Sequence, residues 1–383
     1  MIVGLSVNTL NNKSRDLDGI GVYTSLLFLG LLKAGEKIVP ITHKNKLPDN
    51  RIVMDDDLSY DCQPLAFNWP FELSGPLAAF MKIDTLGSTR IGNKIDVYHC
   101  TDYHQPRMRK TPIVTTLHDA IFLQQPDWCR KRLRWFKNEV IKQLAKQAHK
   151  MICVSEAAKQ DVCHYFNISE NKITVIHHGL DPFWLKKISF DTQRAELLKM
   201  NINGNYLLFT GTLQPRKNVY RLLKAYQMLP LALRQQFQLV VVGKKGWDEK
   251  ALLELQRLSS NHNEMVKWLG YVSKEQLRIL YRGSSLFVFP SLYEGFGLPI
   301  LEAFASGVPV ITSNCSAMLE VAGDAAFLVD PLEIDSLASA IEKVLTDSIL
   351  SASLSEKGEK RLENFMMQNC IQKTIQVYRE VAE

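Results

Sequence analysis

The sequence has no Cys-x-x-Cys pair, and its cysteine count is odd. The seven cysteines stand at positions 62, 100, 129, 153, 163, 315 and 370. Disulfide frameworks and structural metal sites use evenly paired, closely spaced cysteines, and this chain offers neither. We therefore expect reduced thiols, as in a cytoplasmic protein.

Long apolar runs are also absent. The longest oily stretch, residues 22–32, is interrupted by Thr24, Ser25 and Gly30 and is too short to cross a bilayer. The amino terminus, MIVGLSVNTL, lacks the basic segment and cleavage site of a signal peptide, so it predicts a first β-strand. We expect a protein that is not integral to the membrane.

Neither sign of charge strongly dominates. A formal net charge of +6 and a pI near 8.8 suit an anionic nucleotide or membrane surface, and are far from those of a nucleic-acid-binding tail. An apolar fraction of 46% is typical of a globular protein. Because 383 residues exceed one ordinary core, we expect two domains.

Short β-rich segments alternate with longer helical patterns along the chain, with no fixed-period repeat. The predicted strands are residues 2–7, 37–41, 95–99, 113–117, 150–154 and 172–177 in the first half, and 206–210, 238–242, 266–269, 286–290, 309–312 and 326–329 in the second. This order predicts an α/β protein with two facing Rossmann-like domains, parallel sheets and a deep cleft between them. A polar segment at 179–200 marks the boundary. Ligands of such sheets bind beyond the carboxyl ends of the strands.

Two glutamates stand eight positions apart in the apolar segment FPSLYEGFGLPILEAFASGVPV, residues 289–310. Glu302 lies one turn into a helix that we expect to begin near Pro299, and a carboxylate there suits the hydroxyls of a ribose. Glu294 lies in the preceding loop and could accept from a neighbouring sugar. The loop also offers backbone amides to ligand oxygens, at Phe296, Gly297 and Leu298. The alternative, that acids near a helix start merely complement its dipole, does not explain an acid in the apolar second turn.

Two cations occur in GTLQPRKN, residues 211–218, before a predicted helix. Arg216 and Lys217 would stand at the positive end of that helix, which is unfavourable unless an anion neutralises them. The alternative is that both are solvated or paired with acids of the loop. Since the loop contains no acid, we favour a diphosphate.

The first half carries three weaker motifs. Gly19 and Gly21 in DGIGVY predict a helix start without side chains that can abut a phosphate or sugar. His118 and Asp119 in TTLHDA directly follow a strand, where a neutral imidazole could bond a sugar hydroxyl or be structural. The run HCTDYH, which ends at His104, matches no standard zinc spacing, so we prefer a crevice loop to a metal site.

Residues 130–150 are helical in pattern and strongly basic, with Glu139 as the acid. The predicted apolar stripe of this helix is Leu133, Phe136, Val140, Leu144 and Ala148. Most such helices pack on one face and are solvated on the other. Contact with an anionic membrane surface is the alternative.

Together these motifs resemble the retaining glycosyltransferases of family four, which have the GT-B fold. The likeness covers nearly the whole chain and is strongest in GTLQPRKN, VVVGKKG, LGYVSKEQL and SLYEGFGLPILEAFASGVPVITS. Glu294 and Glu302 fit that family's Glu-x7-Glu signature. DGIGVYT, LHD, VSEAAKQD and HHGLDP resemble further landmarks, although His178 stands where asparagine is more usual and Val22 where related mannosyltransferases often have arginine.

The resemblance implies roles for these residues. Arg216 and Lys217 would hold the donor diphosphate, and Glu302 would hold the ribose. Glu294 and the amides of Phe296 and Gly297 would orient the transferred sugar, while residues 270–272 would contact the base. The implied site residues are His118, Gly19, Gly21, Gly211, Tyr271, Val272 and Leu298, with Asp119 and His104 on the acceptor side.

The resemblance also implies the domain division and the reaction. Residues 1–183 plus 363–383 would form the acceptor-side domain, with a C-terminal crossover helix, and residues 184–362 the donor domain. The expected reaction is metal-independent, retaining transfer of mannose from GDP-mannose to a glycan or lipid-linked saccharide of a bacterial surface polysaccharide, without a cofactor. Three alternatives stay open: a UDP-sugar transferase, a nucleotide-sugar 2-epimerase, and a non-catalytic partner in an assembly complex.

Overall fold

A computed structural model describes residues 1–10, 17–43, 52–55, 58–60, 64–67, 71–84, 94–125, 128, 134–260 and 265–383. Contacts divide the chain into two compact units. Unit 1 comprises Met1–Gly179 and Met367–Glu383, and unit 2 comprises Leu180–Met366. No helix in the described part of the chain is long and apolar enough to cross a membrane.

Unit 1 is built on a seven-stranded parallel sheet in the order β5-β2-β1-β6-β7-β8-β9. Two further strands, β3 and β4, form a separate antiparallel pair. The bounds are β1 Ile2–Ser6, β2 Lys37–His43, β3 Ile52–Asp55, β4 Leu58–Tyr60, β5 Leu65–Phe67, β6 Val97–Cys100, β7 Ile113–Leu117, β8 Lys150–Cys153 and β9 Ile173–Val175. The helices are α1 Gly19–Lys33, α2 Phe71–Ala79, α3 Ile121–Gln124, α4 Arg134–Lys146 and α5 Glu156–Phe166, with the C-terminal helix described below.

Unit 2 contains a six-stranded parallel sheet in the order β12-β11-β10-β13-β14-β15. Its strands are β10 Asn205–Thr210, β11 Phe237–Val242, β12 Val266–Gly270, β13 Leu286–Phe289, β14 Val310–Ser313 and β15 Phe327–Val329. Its helices are α6 Phe190–Lys199, α7 Val219–Met228, α8 Leu231–Gln236, α9 Glu249–Ser259, α10 Lys274–Gly283, α11 Leu298–Ala305, α12 Ser316–Ala322, α13 Ile334–Thr346 and α14 Ser348–Arg361.

All the strands predicted from the sequence are present, each within two residues of its predicted bounds. Helix α10 begins with a capping box, in which the Ser273 hydroxyl and the Gln276 side chain each accept from the other's backbone N–H. Strands β3, β4 and β5 were not predicted. They are only three or four residues long, which is too short for a period to be recognised.

The C-terminal helix α15, Met367–Ala382, packs on the sheet and α1 of unit 1. Its apolar face contributes Ile371, Ile375 and Tyr378 to the core that contains β1. Gly30 of α1 makes the approach close, because a Cβ there would lie 2.4 Å from Ile371 Cδ1. Among the described cysteines, Cys100, Cys153, Cys163, Cys315 and Cys370 are free thiols; Cys62 and Cys129 lie outside the described residues.

The unit boundaries differ slightly from the predicted division, which was placed after residues 183 and 362 and not after 179 and 366. Residues 180–183 and 363–366 belong to unit 2 because the two crossing segments bind each other there. The Leu180 N–H donates to the Phe365 carbonyl at 2.7 Å, and Leu180 pairs with Met366 as a parallel bridge.

Glycines line the carboxyl edge of the unit 2 sheet. Gly211, Gly243 and Gly270 stand at the ends of the neighbouring strands β10, β11 and β12, with φ values of 146°, 150° and 68°. A Cβ on Gly243 would lie 1.9 Å from the Gly211 carbonyl oxygen. Only glycine permits this conformation and this close approach, so the three strand ends can lie close together with no side chains on them.

Gly243→Ala is therefore expected to destabilise unit 2 by about 2 kcal/mol or more, since the new methyl group must displace a backbone carbonyl. The measurement is the Tm of the purified variant. Gly204→Ala is the matched control, because a Cβ there meets nothing within 4 Å, and its effect should stay within about 0.5 kcal/mol. Equal Tm values for the two variants would contradict the close approach.

Candidate functional site

Three charged side chains meet beyond the carboxyl ends of β10 and β13. Lys217 Nζ lies 2.7 Å from Glu294 Oε1, and Arg216 Nη1 donates to Glu294 Oε2. The side chains of Lys217 and Glu294 are only 10% and 12% exposed. Lys217 also lies over the Phe289 ring, 4.6 Å from its centroid. One carboxylate thus bridges two cations in a largely buried cluster.

Backbone and side-chain hydrogen bonds hold the two contributing loops together. The Leu292 N–H donates to the Arg216 carbonyl at 2.7 Å, and Arg216 Nη1 donates to the Tyr293 carbonyl at 3.3 Å. Ser316 fixes the backbone of Glu294 from the other side: its hydroxyl accepts from the Glu294 N–H at 3.1 Å and donates to the Glu294 carbonyl at 3.0 Å. The cluster is therefore held in place by its own loops.

The electrostatics of the cluster follow from burial and mutual charge. Burial by itself would raise the pKa of Glu294, but Arg216 and Lys217 outweigh it and lower that pKa to about 2. Burial lowers the pKa of Lys217 to about 8, although Glu294 opposes the shift. With Lys217 protonated, the three groups carry one net positive charge.

This arrangement corrects the prediction that Arg216 and Lys217 have no acid of the protein beside them. The cations were inferred to need an external anion because their own loop contains no acid. Glu294, supplied by the loop after β13, is that acid, and it neutralises one of the two charges. With Lys217 protonated, the sum of the three charges is one positive charge, which suits the site to an anion.

Glu302 lies on α11, partly buried, and differs from Glu294 in its surroundings. Burial raises the pKa of Glu302 to about 7, while an interaction with the Tyr281 hydroxyl and the more distant charges of Lys274 and Lys217 oppose the rise. The Tyr281 hydroxyl also lies 2.8 Å from Thr210 Oγ1. Glu302 therefore has a hydroxyl neighbour where Glu294 has two cations.

The first turn of α11 presents backbone groups next to this carboxylate. Its N-cap is Gly297, with φ at 157° and no side-chain cap. The first N–H groups of a helix have no partner within the helix, so those of Gly297 and Leu298 can point at a ligand, and their role in binding one stays a prediction. The Phe296 ring packs edge-on against Phe365, with centroids 5.9 Å apart.

An exposed aromatic ring follows β12. Tyr271 is 55% exposed, and Lys244 Nζ lies 4.5 Å from its ring centroid. Val272 is the next residue and is partly buried. Because Gly270 would meet nothing with an added Cβ, this strand end leaves room beside the ring for a planar group.

Unit 1 carries a cluster of rings at the end of β7. His118 is buried, stacks on His178 at 5.4 Å between centroids, and meets the Tyr23 ring edge-on at 5.1 Å. Burial lowers the pKa of both histidines. His118 Nε2 lies 3.0 Å from the Thr101 carbonyl, which makes Nε2 the protonated nitrogen and Nδ1 an acceptor. The lowered pKa of His118 favours the neutral imidazole.

The glycines of DGIGVY open α1 as expected, in two different ways. A Cβ on Gly19 would meet nothing within 4 Å, so the helix start is bare there. The Gly21 N–H is already used, because it donates to the Asp18 side chain at 2.9 Å. A Cβ on Gly21 would lie 3.3 Å from the Thr9 carbonyl oxygen, so this glycine serves packing.

Asp119 and His104 are engaged within their own segments. Asp119 Oδ1 accepts from the Tyr103 hydroxyl at 3.2 Å and from the Ile121 N–H at 3.2 Å. The His104 N–H donates to Asp102 Oδ1 at 2.8 Å. The acceptor-side roles of Asp119 and His104 stay predictions. Over the described residues, no group of three or more His, Cys, Asp or Glu side chains could hold a metal ion.

Sequence reasoning missed Tyr281, Ser316 and the role of His178. Tyr281 lies on α10, where an aromatic at helical spacing is typical of core. Ser316 has φ at 51°, which no pattern predicts for a serine. His178 did give a signal, since it replaces the asparagine usual in the HHGLDP motif, and its ring forms one wall of the His118 cluster.

Two family models match the chain. The model described as Glycosyltransferase Family 4 matches residues 17–183, and the model of group 1 glycosyl transferases matches residues 191–361. The O-antigen chain mannosyltransferase B of Escherichia coli is 32% identical over 284 residues, which are 74% of this chain and 74% of that protein.

Solved structures show the same fold at low identity. Sucrose-phosphate synthase from Thermosynechococcus elongatus superposes with a TM-score of 0.76 at 20% identity, over 99% of this chain and 98% of that chain. HepE from Anabaena, in complex with UDP-glucose, superposes with a TM-score of 0.72 at 18% identity, over 99% and 100%. The two parallel sheets with their helices are thus those of GT-B enzymes. By fold, family models and similarity to its relative, the chain belongs to the family four glycosyltransferases.

Proposed function

We propose that this glycosyltransferase moves mannose from GDP-mannose, with retention of the α-configuration, to a glycan or lipid-linked saccharide of a bacterial surface polysaccharide. The similarity to an O-antigen chain mannosyltransferase supports the sugar and the pathway. A uridine nucleotide is the second candidate, because one enzyme of the same fold is known in complex with UDP-glucose.

The observation that carries the proposal is the opposite tuning of the two signature carboxylates. Glu294, between two cations, has a pKa of about 2, whereas Glu302, beside a hydroxyl, has a pKa of about 7. Pairs of acids whose environments push their pKa values apart mark sites with divided roles. A cation-bound acid suits the charged end of a donor, and an acid near neutrality suits hydroxyl groups.

In this proposal the donor diphosphate binds to Arg216 and Lys217. The bond from the sugar C1 to the diphosphate oxygen breaks as the acceptor oxygen bonds to C1 from the same face. The acceptor proton passes to a phosphate oxygen, and the nucleoside diphosphate leaves. The net positive charge of the cluster and the amides of Gly297 and Leu298 stabilise the charge that develops on the leaving group. Two side-chain cations thus supply the charge that a divalent metal supplies in other transferases.

The remaining groups bind and orient the sugar, the ribose and the base. A carboxylate offers about four lone-pair positions, and Glu294 uses two of them for its cations, so it can still accept from a hydroxyl of the transferred sugar. Glu302 accepts from the ribose, and Tyr271 offers its face to the base. His118, held neutral in unit 1, accepts a sugar hydroxyl through Nδ1.

A donor screen tests the proposal. Purified protein is titrated by calorimetry with GDP-mannose, UDP-glucose and UDP-GlcNAc, and the preferred donor is then used with a short mannoside acceptor. We expect GDP-mannose to bind best and NMR of the product to show an α-linkage. Turnover of a uridine sugar alone would overturn the donor. Conversion of the donor without any acceptor would favour an epimerase.

The pH profile of kcat/KM is expected to be bell-shaped, with its maximum between about pH 7 and 8. Donor binding needs Glu302 ionised, which fails below its pKa of about 7, and Lys217 protonated, which fails above its pKa of about 8. Lys217→Arg should remove the alkaline limb, and Glu302→Gln the acid limb. A wild-type profile that is flat from pH 6 to 9 would contradict these roles.

The pH dependence of the protein's stability should also reflect the ionisation of Glu302. Because its folded pKa is raised from 4.5 to about 7, the stabilisation from the neutral form is fully present below about pH 4.5 and is lost as pH rises through 7. Glu302→Gln keeps the neutral form at every pH, so its Tm relative to wild type should rise between pH 5.5 and 8.0. A constant difference in Tm would show that the pKa of Glu302 is not raised. Glu342→Gln, at an exposed position of α13, controls for the loss of a carboxylate.

A further inference from the structure

A chain of buried hydrogen bonds runs through the core of unit 1. His99 on β6 is fully buried, and its Nδ1 lies 2.5 Å from the Tyr378 hydroxyl of α15. Its Nε2 lies 2.8 Å from Thr116 Oγ1 on β7. The same Thr116 oxygen lies 3.0 Å from the Tyr23 hydroxyl of α1. We name these four residues the polar chain, and it joins four separate elements of unit 1.

The polar chain ends at the rings that surround His118. The Tyr23 ring meets His118 edge-on, with an angle of 80° between the ring planes. It also contacts His178, at 4.7 Å between centroids, and the two histidines stack on each other. We name Tyr23, His118 and His178 the ring cluster. Any contact that fixes the angle of the Tyr23 ring therefore fixes one wall of the space that the His118 imidazole occupies.

Other contacts restrain the backbone of α1 beside Tyr23. Thr24, the next residue, has its Oγ1 2.9 Å from Thr101 Oγ1 of the loop after β6. The Thr101 carbonyl in turn lies 3.0 Å from His118 Nε2. With the backbone held in this way, the main freedom left to Tyr23 is the angle of its ring. The contact between its hydroxyl and Thr116 restrains that angle.

The polar chain is uncharged near neutral pH. Burial lowers the pKa of His99 to about 3 and raises the pKa values of Tyr23 and Tyr378. A neutral imidazole has one N–H donor and one acceptor nitrogen. His99 must therefore donate on one side and accept on the other, and the Tyr378 hydroxyl is one of the two partners that decide which nitrogen carries the proton. The polar chain thus contributes direction and not charge.

The simpler explanation of the polar chain is that buried polar groups need partners. Apolar side chains of similar volume would pack these elements without any buried donor or acceptor to satisfy. Hydrogen bonds differ from apolar contacts because they depend on angle, and a fully satisfied buried network specifies one arrangement of its members. A network of this kind that ends at the ring cluster is suited to hold His118 in one orientation.

We propose that Tyr378 and His99 are positioning residues, which act through the rest of the polar chain to fix the orientation of the His118 imidazole. Thr116 passes the restraint from His99 to the Tyr23 hydroxyl, and the Tyr23 ring passes it to His118. The C-terminal helix thereby takes part in shaping the ring cluster, although its own side chains do not line it. That this orientation serves a sugar hydroxyl rests on the proposed function; the positioning of the imidazole does not.

NMR of the full chain with ¹⁵N-labelled histidine tests the positioning without any substrate. The signals of His118 are assigned with the variant His118→Gln. In the wild type we expect a single neutral tautomer of His118, protonated at Nε2. Tyr378→Phe removes one hydroxyl and keeps the ring, and Thr116→Val removes the next hydroxyl at nearly constant volume. Both variants should shift the His118 signals or split them between two orientations, because the angle of the Tyr23 ring is no longer fixed.

Kinetics then test what the positioning serves. With the donor that the screen selects, kcat should fall about tenfold or more in Tyr378→Phe and in Thr116→Val, since a small misplacement of a substrate-binding group is costly. The dissociation constant for GDP should stay within about twofold of wild type, because the cluster proposed for the diphosphate lies in unit 2. The double variant should lose no more than the weaker single variant, since both act through the same contacts.

Two variants control for packing and for the loss of a buried hydroxyl. Thr116→Ser keeps the hydroxyl and loses the methyl group, so it should keep the His118 signals and the rate of the wild type. Tyr98→Phe removes a buried hydroxyl from the residue next to His99, whose side chain belongs to a separate apolar cluster, and it should also leave both unchanged. The Tm of each variant checks that it is folded under the conditions of the measurements.

Two outcomes would overturn the positioning role. One is a set of His118 signals that is the same in wild type, Tyr378→Phe and Thr116→Val. The other is a change in Thr116→Ser or Tyr98→Phe as large as that in Thr116→Val, which would assign the effect to packing. Shifted His118 signals together with an unchanged kcat would support the positioning and reject the role of His118 in the proposed function.

Discussion

The structure of the candidate site depends on one carboxylate shared by two cations. Glu294 bridges Arg216 and Lys217 from a different loop, so the loops after β10 and β13 cannot separate without leaving buried charges unpaired. Removing one partner of a buried charge group is strongly destabilising, of the order of 3–5 kcal/mol. The same contact keeps both cations at the strand ends. Without Glu294 their mutual repulsion and burial would favour other rotamers or a neutral lysine.

The fold makes room for this cluster by removing side chains around it. Gly211, Gly243 and Gly270 end three adjacent strands with positive φ, and Gly297 begins α11 in the same way. Bare strand ends let a ligand approach the backbone, while charge is concentrated on a few buried side chains. Specificity for an anion then comes from the position of the Arg216, Lys217 and Glu294 side chains beside these strand ends.

Much of this could be predicted from the sequence, since the signals are local. The alternation of apolar segments along the chain predicted the bounds of the strands to within two residues. The eight-residue spacing of the two glutamates predicted that Glu294 lies in a loop and Glu302 in a helix. The pairing of Glu294 with Arg216 and Lys217 could not be predicted, because it joins residues 78 and 77 positions apart through the order of strands in the sheet. Phe136 belongs to the predicted apolar stripe but is 41% exposed, and this was missed for a related reason. A helical period identifies an apolar face, but neighbours decide which of its members are covered.

The pKa values of Glu302 and Lys217 both lie near neutral pH, where each side chain changes its charge. Glu302, with a pKa of about 7, and Lys217, with a pKa of about 8, are each shifted by burial toward the neutral form. A ribose that donates to Glu302 would favour its ionised form, and a diphosphate beside Lys217 would favour the ammonium. The neutral forms avoid part of the cost of buried charge, and binding of the proposed donor would favour the charged form of both groups. The electrostatic field that acts on the leaving diphosphate would then be strongest when a donor is bound.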